Sequence, residues 1–345
     1  MAVLCSLAPD CNLSLLISTE NSIMGFSIRF FIAFFFVISG SVFAQEASLV
    51  NAKLKLLSSY SKPLAHEGPV LIPELNQLFF TSNRLYRSDG SQYVVASSYN
   101  IQDGSTRDLG LTDSIPMANG AFRLSNGNIV VTMQGNKFKP AGLAEYNPFT
   151  GNVKLLTTGY SRYQFNSPND VVQAPDSSIW FTDPQYGYEQ GFRPKPTIGN
   201  WVWRYHPSNG LQRLLIDGFA KPNGLAFSLD FKYLYVTDSG YISGNGARNS
   251  SLPRTIYRFL VTSTPDGIFA TQRSVFCVVT KGIPDGIKVD QLGRVWTGTG
   301  AGLEVFDKDG TPLAVIPVPG GVSNFALAPN GAYVMGETKL YRLDL

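Results

Sequence analysis

The sequence predicts an all-β protein built as a six-bladed β-propeller, and three observations support this prediction. Past residue 44, no long stretch places apolar residues at helical spacing. The 33 glycines and 21 prolines of the chain interrupt it about every ten residues, which is typical of many short strands. A phrase made of a turn, an apolar triplet and often a threonine then recurs along the chain.

This phrase occurs six times at a mean spacing of about 50 residues, and repeats of about 40–50 residues with four strands each are typical of propeller blades. The six copies begin at Pro73, Leu124, Ala174, Ser228, Asp290 and Ala328. A blade buries both faces of its sheet only when neighbours stack against it, so the blades must close into a ring. We expect a strand within residues 52–60 to close it beside the last strands, at 339–345. A pair of β-sandwiches is the alternative architecture.

The N-terminal part of the chain has a different character. Residues 24–44 combine one arginine, an uncharged apolar stretch and a small residue ahead of "QEAS", which is the pattern of a secretory signal. We therefore expect residues 1–44 to be a leader whose true start is Met24, and residues 45–345 to be one secreted propeller domain without stable membrane insertion. An N-terminal membrane anchor is the alternative, although a spanning helix needs about 20 apolar residues.

Charge and cysteine usage exclude several classes of protein. The net charge is +3, and no run of Lys or Arg is long enough to indicate nucleic acid or an anionic membrane surface as a partner. Cys5 and Cys11 fall in the leader, which leaves Cys277 as a small core residue and no disulfide framework. Asn249 begins an Asn-Ser-Ser triplet, an acceptable glycosylation sequence.

Polar corners precede several copies of the repeated phrase. Asn169 in "FNSPNDVV", Asn223 in "KPNGLAFS" and Asp285 in "GIPDGIKVD" each follow a proline, and Glu67 in "AHEGPVL" occupies the same place in the first repeat. In a propeller the innermost strands surround a central channel, and the loops that lead into them meet at one mouth of it. We therefore expect these four side chains, on four different blades, to converge.

The four side chains together form an all-oxygen set of two carboxylates and two amide carbonyls. Ca²⁺ prefers such a set, with about six to eight oxygen ligands including water. Zinc fits less well, because His66, His206 and Cys277 are the only His or Cys residues past the leader and none stand at a metal-ligand spacing. Zn²⁺, Mn²⁺ and Mg²⁺ are the alternatives to Ca²⁺ in the working enzyme.

An ordinary turn is the alternative interpretation of these corners. Asn and Asp before glycine are common turn residues, because their side chains bond the backbone. This interpretation is weaker for "SPND", which has no glycine, and for Glu67, because glutamate is not a favoured turn residue.

Four motifs together resemble the gluconolactonase/regucalcin (senescence marker protein) family of calcium-dependent lactonases, particularly its secreted fungal-type members. They are "HEGPV", "FNSPNDVV…SIWFTDPQYGY", "GFAKPNGLAFS…YLYVTDSG" and "GIPDGIKVD", and the similarity runs from about residue 60 to the C-terminus. The resemblance implies a six-bladed propeller with one divalent ion at the channel mouth. It implies Glu67, Asn223 and Asp285 as metal ligands, Asn169 as a further site residue, and Asp285 as the catalytic acid or base.

The resemblance also implies a hydrolase that opens a gluconolactone-like or other small lactone, with a metal-polarised carbonyl and Asp285 assisting the attack of water. Some relatives carry a substrate-binding arginine two residues before the first site asparagine. Ser167 stands there in this chain, and neither Arg162 nor Arg193 replaces that arginine by motif, so the substrate stays open. Two alternatives remain: a propeller that hydrolyses organophosphates or other esters, and a non-catalytic, calcium-stabilised propeller that binds a sugar or a protein.

Three further side chains are candidates for the substrate pocket: His66, Asp183 and Tyr186. His66 precedes Glu67, and neighbours along a strand point to opposite faces, so both reach the channel only from an irregular segment. Asp183 ends "FTD" and Asp238 ends "VTD". Their alternative role is structural, with each carboxylate bonding backbone amides to hold blades in register. No Gly-x-Ser-x-Gly motif indicates a nucleophilic serine.

Overall fold

The structure is a computed structural model that describes residues 49–265 and 267–345. Six four-stranded antiparallel sheets account for most of this part of the chain. Five of them are built from strands that follow one another along the chain, and the sixth combines the last three strands with the first. The strand order in every sheet runs from the centre of the molecule outwards. This arrangement confirms the predicted six-bladed β-propeller.

The first three blades are made as follows. The first contains β2 (Glu67–Ile72), β3 (Gln77–Thr81), β6 (Ala96–Asn100) and β7 (Thr106–Asp108), with a short 3₁₀ turn at Pro73–Leu75 and a small hairpin of β4 (Leu85–Tyr86) and β5 (Gln92–Tyr93) in its connections. The second contains β8 (Ala118–Arg123), β9 (Ile129–Met133), β10 (Gly142–Tyr146) and β11 (Val153–Thr157), followed by a hairpin of β12 (Gly159–Tyr160) and β13 (Tyr163–Gln164). The third contains β14 (Val171–Gln173), β15 (Ile179–Asp183), β16 (Trp201–His206) and β17 (Leu211–Ile216), with the helix α1 (Tyr186–Glu189) between β15 and β16.

The last three blades complete the ring. The fourth contains β18 (Pro222–Phe227), β19 (Tyr233–Asp238), β20 (Thr255–Thr264) and β21 (Gly267–Val278). The fifth contains β22 (Ile287–Val289), β23 (Val295–Thr299), β24 (Gly302–Phe306) and β25 (Pro312–Pro317). The sixth contains β26 (Phe325–Ala328), β27 (Gly331–Gly336) and β28 (Lys339–Asp344), and its outermost strand is β1 (Lys53–Ser59).

The ring is closed by the pairing of the first strand with the last. β1 runs antiparallel to β28, with Lys53 opposite Asp344 and Ser59 opposite Lys339. The sixth blade therefore joins the N-terminal and C-terminal parts of the propeller by backbone hydrogen bonds. This confirms the ring closure that the sequence predicted.

The innermost strands are not the ones that the repeated phrase forms. The phrase builds the second strand of every blade, namely β3, β9, β15, β19, β23 and β27. A separate first strand of three to six residues precedes each one, and these six strands contact one another in turn around the axis. The expectation that the polar corners lead directly into the phrase is therefore corrected: short segments such as Val171–Gln173 pair with the phrase strand and form the channel wall themselves.

The core lies between the blades. The strands β9, β15 and β23 are buried along their whole length, because each is covered by a neighbouring blade on both faces. One cluster joins Val70 and Phe79 of the first blade to Ala121 and Val131 of the second. The ring therefore has a continuous series of interfaces rather than one central core, and the channel is left for polar side chains.

Several predictions concern the chain ends and the surface. The leader, its start at Met24 and the alternative anchor lie outside the described residues; within the described part, no helix is long and apolar enough to span a membrane. Cys277 lies in β21 and is only partly buried, so it is less enclosed than a core residue. Asn249 is exposed in the connection between β19 and β20. His206 ends β16 and is partly exposed.

Candidate active site

A cavity of about 560 Å³ opens at the mouth of the channel where the inner strands begin. All four residues predicted to converge line it, namely Glu67, Asn169, Asn223 and Asp285. They come from four different blades and are separated by more than 50 residues along the chain in every case. The structure therefore brings together the side chains that the repeat frame placed at equivalent positions.

The equivalent positions of the other two blades are asparagines that the sequence analysis did not single out. Asn119 lies at the start of β8 and lines the cavity, whereas Asn324 lies just before β26 and donates a hydrogen bond of 2.7 Å to Glu67 Oε2. Asn119 stands in "MANGAF", where an Asn-Gly pair without a preceding proline was the available signal.

Glycine follows the site residue in four of the six blades because the next blade approaches closely. A Cβ atom at Gly68 would lie 2.5 Å from Asn119 O, and one at Gly224 would lie 2.5 Å from Asp285 O. Such contacts leave no room for a side chain. The Glu-Gly, Asn-Gly and Asp-Gly pairs therefore have a packing origin, and the turn interpretation does not explain them.

The inner strands are irregular where the site residues lie. The register between the first and second strands shifts between Glu67 and Val70, and again between Pro222 and Leu225. A local irregularity of this kind changes the direction of the side chains beside it. His66 and Glu67, which a regular strand would point to opposite faces, consequently both line the cavity.

The threonine of the repeated phrase positions the site residue of the following blade. In four consecutive blades its hydroxyl donates a hydrogen bond to the backbone carbonyl of that residue, and each of these threonines is fully buried. The pairs are Thr81 with Asn119 (2.9 Å), Thr132 with Asn169 (2.9 Å), Thr182 with Asn223 (2.6 Å) and Thr237 with Asp285 (3.1 Å). The repeat in the sequence thus encodes the contact between one blade and the next at the site.

The two carboxylates at the site carry an unfavourable charge arrangement. Burial raises the pKa of Glu67 to about 8, and the nearby charge of Asp285 adds to the rise. Asp285 keeps some exposure to the cavity, but protein surrounds it, and this burial raises its pKa to about 7 against the lowering effects of His66 and of a hydrogen bond from Asn223. Both groups would be ionised at neutral pH if a cation lay between them.

The amide oxygens at the site are also unsatisfied. Within the described part of the chain, the side-chain oxygens of Asn119, Asn169 and Asn223 are buried without a hydrogen-bond partner. An unpaired buried polar atom costs about 1–3 kcal/mol, so three of them on one cavity require an explanation. A hard cation accepts amide and carboxylate oxygens alike, and the residues present therefore fit such an ion.

The mixed character of this donor set matters for the choice of ion. The described residues contain no cluster of three or more His, Cys, Asp or Glu side chains placed to hold a metal. A cation at this position would depend on neutral amide oxygens together with the two carboxylates. This composition favours Ca²⁺ over Zn²⁺, because zinc prefers nitrogen and sulfur ligands.

His66 belongs to a hydrogen-bonded group that the sequence analysis missed. Its Nδ1 lies 2.7 Å from Glu337 Oε1, and Asn83 Nδ2 donates to Glu337 Oε2 at 3.1 Å. Burial alone would lower the pKa of His66, but Glu337, with the charges of Glu67 and Asp285, raises it to about 9. With Nδ1 engaged, the ring nitrogen Nε2 is left as the donor toward the cavity.

Of the two remaining candidates for the substrate pocket, Tyr186 lies at the cavity and Asp183 does not. Tyr186 is buried at the cavity, and its hydroxyl has no hydrogen-bond partner in the described part of the chain. Asp183 does not line the cavity, which corrects its assignment to the substrate pocket: its two carboxylate oxygens accept the backbone N–H groups of Asn166 (2.9 Å) and Ser167 (2.8 Å). Asp238 accepts two backbone N–H groups in the same way in the fourth blade. The geometry of both carboxylates therefore agrees with their alternative, structural role.

Comparison with known proteins identifies the family. The family model described as the SMP-30/Gluconolactonase/LRE-like region matches residues 66–334. The chain belongs to this family. This confirms the resemblance to the gluconolactonase/regucalcin family that the four motifs indicated, whereas the similarity to its secreted fungal-type members stays a prediction.

Individual relatives and one solved structure show how far the similarity extends. Lactonohydrolase oryL of Aspergillus oryzae is 32% identical over 283 residues, which are 76% of this chain and 63% of that protein. Gluconolactonase of Zymomonas mobilis is 29% identical over 209 residues, 58% of this chain and 54% of that protein. A solved gluconolactonase from Xanthomonas campestris has a TM-score of 0.71 and 29% identity, covering 88% of this chain and 92% of that one. The alignment with the two curated relatives thus spans less than two thirds of their length.

Ser167 stands where the resemblance places a substrate-binding arginine in some relatives, and here it has a structural role. Ser167 is fully buried, and its hydroxyl donates to Pro184 O (2.6 Å) and accepts from Gly187 N (2.9 Å). Arg193 is committed to backbone carbonyls, including Asn166 O at 2.9 Å. Among the described residues that line the cavity, Arg84 is the one arginine.

Proposed function

We propose that the protein hydrolyses a small lactone with the help of a divalent cation held by Glu67, Asn169, Asn223 and Asp285. The observation that carries the proposal is the convergence of two carboxylates and unpaired amide oxygens on one cavity. The printed names of the relatives, a lactonohydrolase and two gluconolactonases, support the choice of reaction. Ca²⁺ is the ion that best suits the donor set, and Mn²⁺, Mg²⁺ and Zn²⁺ are the alternatives.

A cation bound by these residues would act as a Lewis acid that polarises the lactone carbonyl and stabilises the negative charge that develops on its oxygen. Asp285 is the residue that handles the proton. It orients the attacking water and accepts a proton as the oxygen of the water bonds to the carbonyl carbon. When the ring C–O bond breaks, Asp285 returns this proton to the leaving alkoxide, and the product is a hydroxy acid.

Other residues of the cavity are placed to bind the substrate. His66 presents Nε2, and Tyr186 presents an unpaired hydroxyl whose pKa is raised by burial and by the charge of Asp285, so it stays a hydrogen-bond donor. Gln134 and Asn83 add polar groups to the lining. A cavity of about 560 Å³ with this lining suits a small, hydroxyl-bearing lactone ring.

A substrate screen with control of the metal tests the proposal. Purified protein is incubated with γ- and δ-lactones after chelation with EGTA, with the residual metal measured, and again after addition of Ca²⁺. We expect hydrolysis that chelation removes and Ca²⁺ restores. Undiminished hydrolysis in protein shown to be free of metal would refute the role of the cation.

The variant Asp285→Asn tests the combined role of this carboxylate as a cation ligand and as the group that accepts and returns the proton. We expect it to lose turnover by at least about 10²-fold, the lower range for loss of a general base, while its circular dichroism spectrum is unchanged.

The substrate screen also tests the phosphotriesterase alternative. Absence of activity on every lactone in the wild-type protein, together with activity on a phosphotriester in the same screen, would favour that alternative.

A further inference from the structure

One long connection reaches the cavity from the fourth blade. The segment between β19 and β20, residues 239–254, lines the cavity with its tip at 242–246, which we call the tip loop. Ile242 pairs with Arg248 in an isolated bridge, so the tip loop belongs to a narrow hairpin that projects from the blade. The position of this wall decides how much room a substrate has beside the site residues.

The tip loop is held by a carboxylate from a different blade. Glu189, at the end of α1 in the third blade, accepts the backbone N–H of Gly244 through Oε2 at 2.6 Å. A Cβ atom at Gly244 would lie 3.0 Å from the Cβ atom of Glu189, so the loop backbone rests directly on the helix. This contact joins the wall to the helix that carries Tyr186 into the cavity.

Glu189 is in turn paired with a buried cation. Lys221 Nζ, from the segment that precedes β18, lies 3.3 Å from Glu189 Oε1, and the two side chains are 5% and 12% exposed. Lys221 Nζ also lies 3.4 Å from Ser243 Oγ in the tip loop. Gln185 Nε2 completes the surroundings of Glu189 Oε1 at 2.9 Å. Such a buried pair is screened little by solvent, and it holds its partners in one arrangement.

We propose that Lys221 and Glu189 are positioning residues that fix the tip loop as the substrate-facing wall and thereby set the affinity for the lactone. Neither residue lines the cavity, so both act through the loop. The inference rests on the proposed lactone hydrolysis, and it adds a determinant of specificity outside the cation-binding set. The loop contributes to binding that is common to ground state and transition state, so its release affects KM rather than kcat.

Two double variants isolate the contact. Lys221→Met with Glu189→Leu removes the ion pair and the acceptor of Gly244 N–H, whereas Lys221→Met with Glu189→Gln removes the charges but keeps an amide acceptor. Replacing both partners with groups of similar volume keeps the fold, because no buried charge is left unpaired. A matched control is Arg204→Met with Asp176→Asn, which breaks an ion pair of 2.7 Å in the third blade away from the cavity.

Each protein is measured in two ways. Steady-state kinetics on a lactone that the wild type hydrolyses gives KM and kcat, and limited trypsin digestion gives the rate of cleavage after Arg248, an exposed residue of the same connection. For the leucine variant we expect KM to rise about tenfold with kcat unchanged. We expect cleavage after Arg248 to accelerate about tenfold, because the hairpin opens more often. The glutamine variant loses the ion pair but keeps an acceptor for Gly244 N–H, so we expect smaller increases in both KM and the cleavage rate. The control should behave as the wild type does.

The outcomes separate this inference from the proposed function. Wild-type protein that hydrolyses no lactone refutes the function, while the digestion still reports whether the pair holds the loop. Faster cleavage with an unchanged KM in the leucine variant would overturn the assignment of the loop as a substrate wall. A raised KM without faster cleavage, or a fall in kcat alone, would overturn the assignment of the pair as the device that positions it.

Discussion

Thr237 provides the sharpest test of how the repeated phrase builds the site. Its hydroxyl accepts a hydrogen bond from Gly224 N at 2.7 Å and donates one to Asp285 O at 3.1 Å, and the side chain is fully buried in β19. It thus ties the backbone beside one site residue of the fourth blade to the backbone of the next site residue in the fifth. Thr237→Val keeps the shape of the side chain but removes both bonds.

The magnitude follows from the two groups that lose their partner. Each buried backbone group left unpaired costs about 1–3 kcal/mol, so we expect Thr237→Val to lower the free energy of unfolding by about 2–6 kcal/mol. Thr237→Ser keeps the hydroxyl and loses one methyl group, for which we expect about 1 kcal/mol. Urea denaturation of both variants, at fixed pH and Ca²⁺ concentration, measures these values.

The same pair of variants reports on the site itself. Because Thr237→Val frees the carbonyl of Asp285, we expect Ca²⁺ affinity, measured by calorimetric titration, to fall about tenfold, equivalent to about 1.4 kcal/mol of binding free energy. Thr237→Ser should bind Ca²⁺ as the wild type does. A valine variant as stable as the serine variant would refute the reasoning, because the hydroxyl would then contribute nothing to the contact between the blades.

Three further predictions concern the charge and the donors of the site. Without cation, the raised pKa values of Glu67 (about 8) and Asp285 (about 7) let the folded protein bind more protons than the unfolded chain between about pH 4 and 8, so the free energy of unfolding should fall as pH rises through that window. His66, with a pKa of about 9, further lowers the free energy of unfolding as pH rises above about 6.5. Saturating Ca²⁺ should suppress the part of this pH dependence that the two carboxylates contribute. Urea denaturation at pH 5 and pH 8 measures the effect, and a free energy of unfolding that rises with pH in the metal-free protein would contradict it. Ca²⁺ affinity should increase from pH 6 to 8 with release of protons, visible as heats that depend on the ionisation enthalpy of the buffer, and pH-independent affinity would argue against carboxylate ligands. Asn119→Ala should weaken Ca²⁺ binding about tenfold and leave the fold intact, because its unpaired oxygen is a fifth donor at the cavity; unchanged affinity would limit the donor set to the four predicted residues.

Much of this architecture could be predicted because the repeat is written in the sequence. The phrase recurs in every blade, with its threonine in five of the six, and Glu67, Asn169, Asn223 and Asp285 stand at a similar place ahead of it. The short first strands could not be recognised, since a segment as brief as Val171–Gln173 has no periodicity of its own until its partner strand is known.

The contacts that link distant parts of the chain were also beyond a reading of motifs. His66 and Glu337 are 271 residues apart, and Lys221 and Glu189 lie in connections that differ from blade to blade. A sequence repeat predicts the contacts that all blades share, whereas these pairs lie in connections that are not repeated. Asp183 shows the opposite error. Its motif indicates a pocket residue, but both of its carboxylate oxygens accept backbone N–H groups and do not reach the cavity.

The pairing of β1 with β28 has a consequence for how the protein is made. β1 is the earliest strand of the propeller to leave the ribosome, and its partner β28 is the latest, so the toroid stays open until β28 has been synthesised. Removal of the strand Lys53–Ser59 would strip the sixth blade of its outer edge and expose β28 to other chains. Because Lys53 and Asp344 lie side by side, a short linker between them would permit a circular permutant with new ends elsewhere, in which closure no longer waits for the final strand.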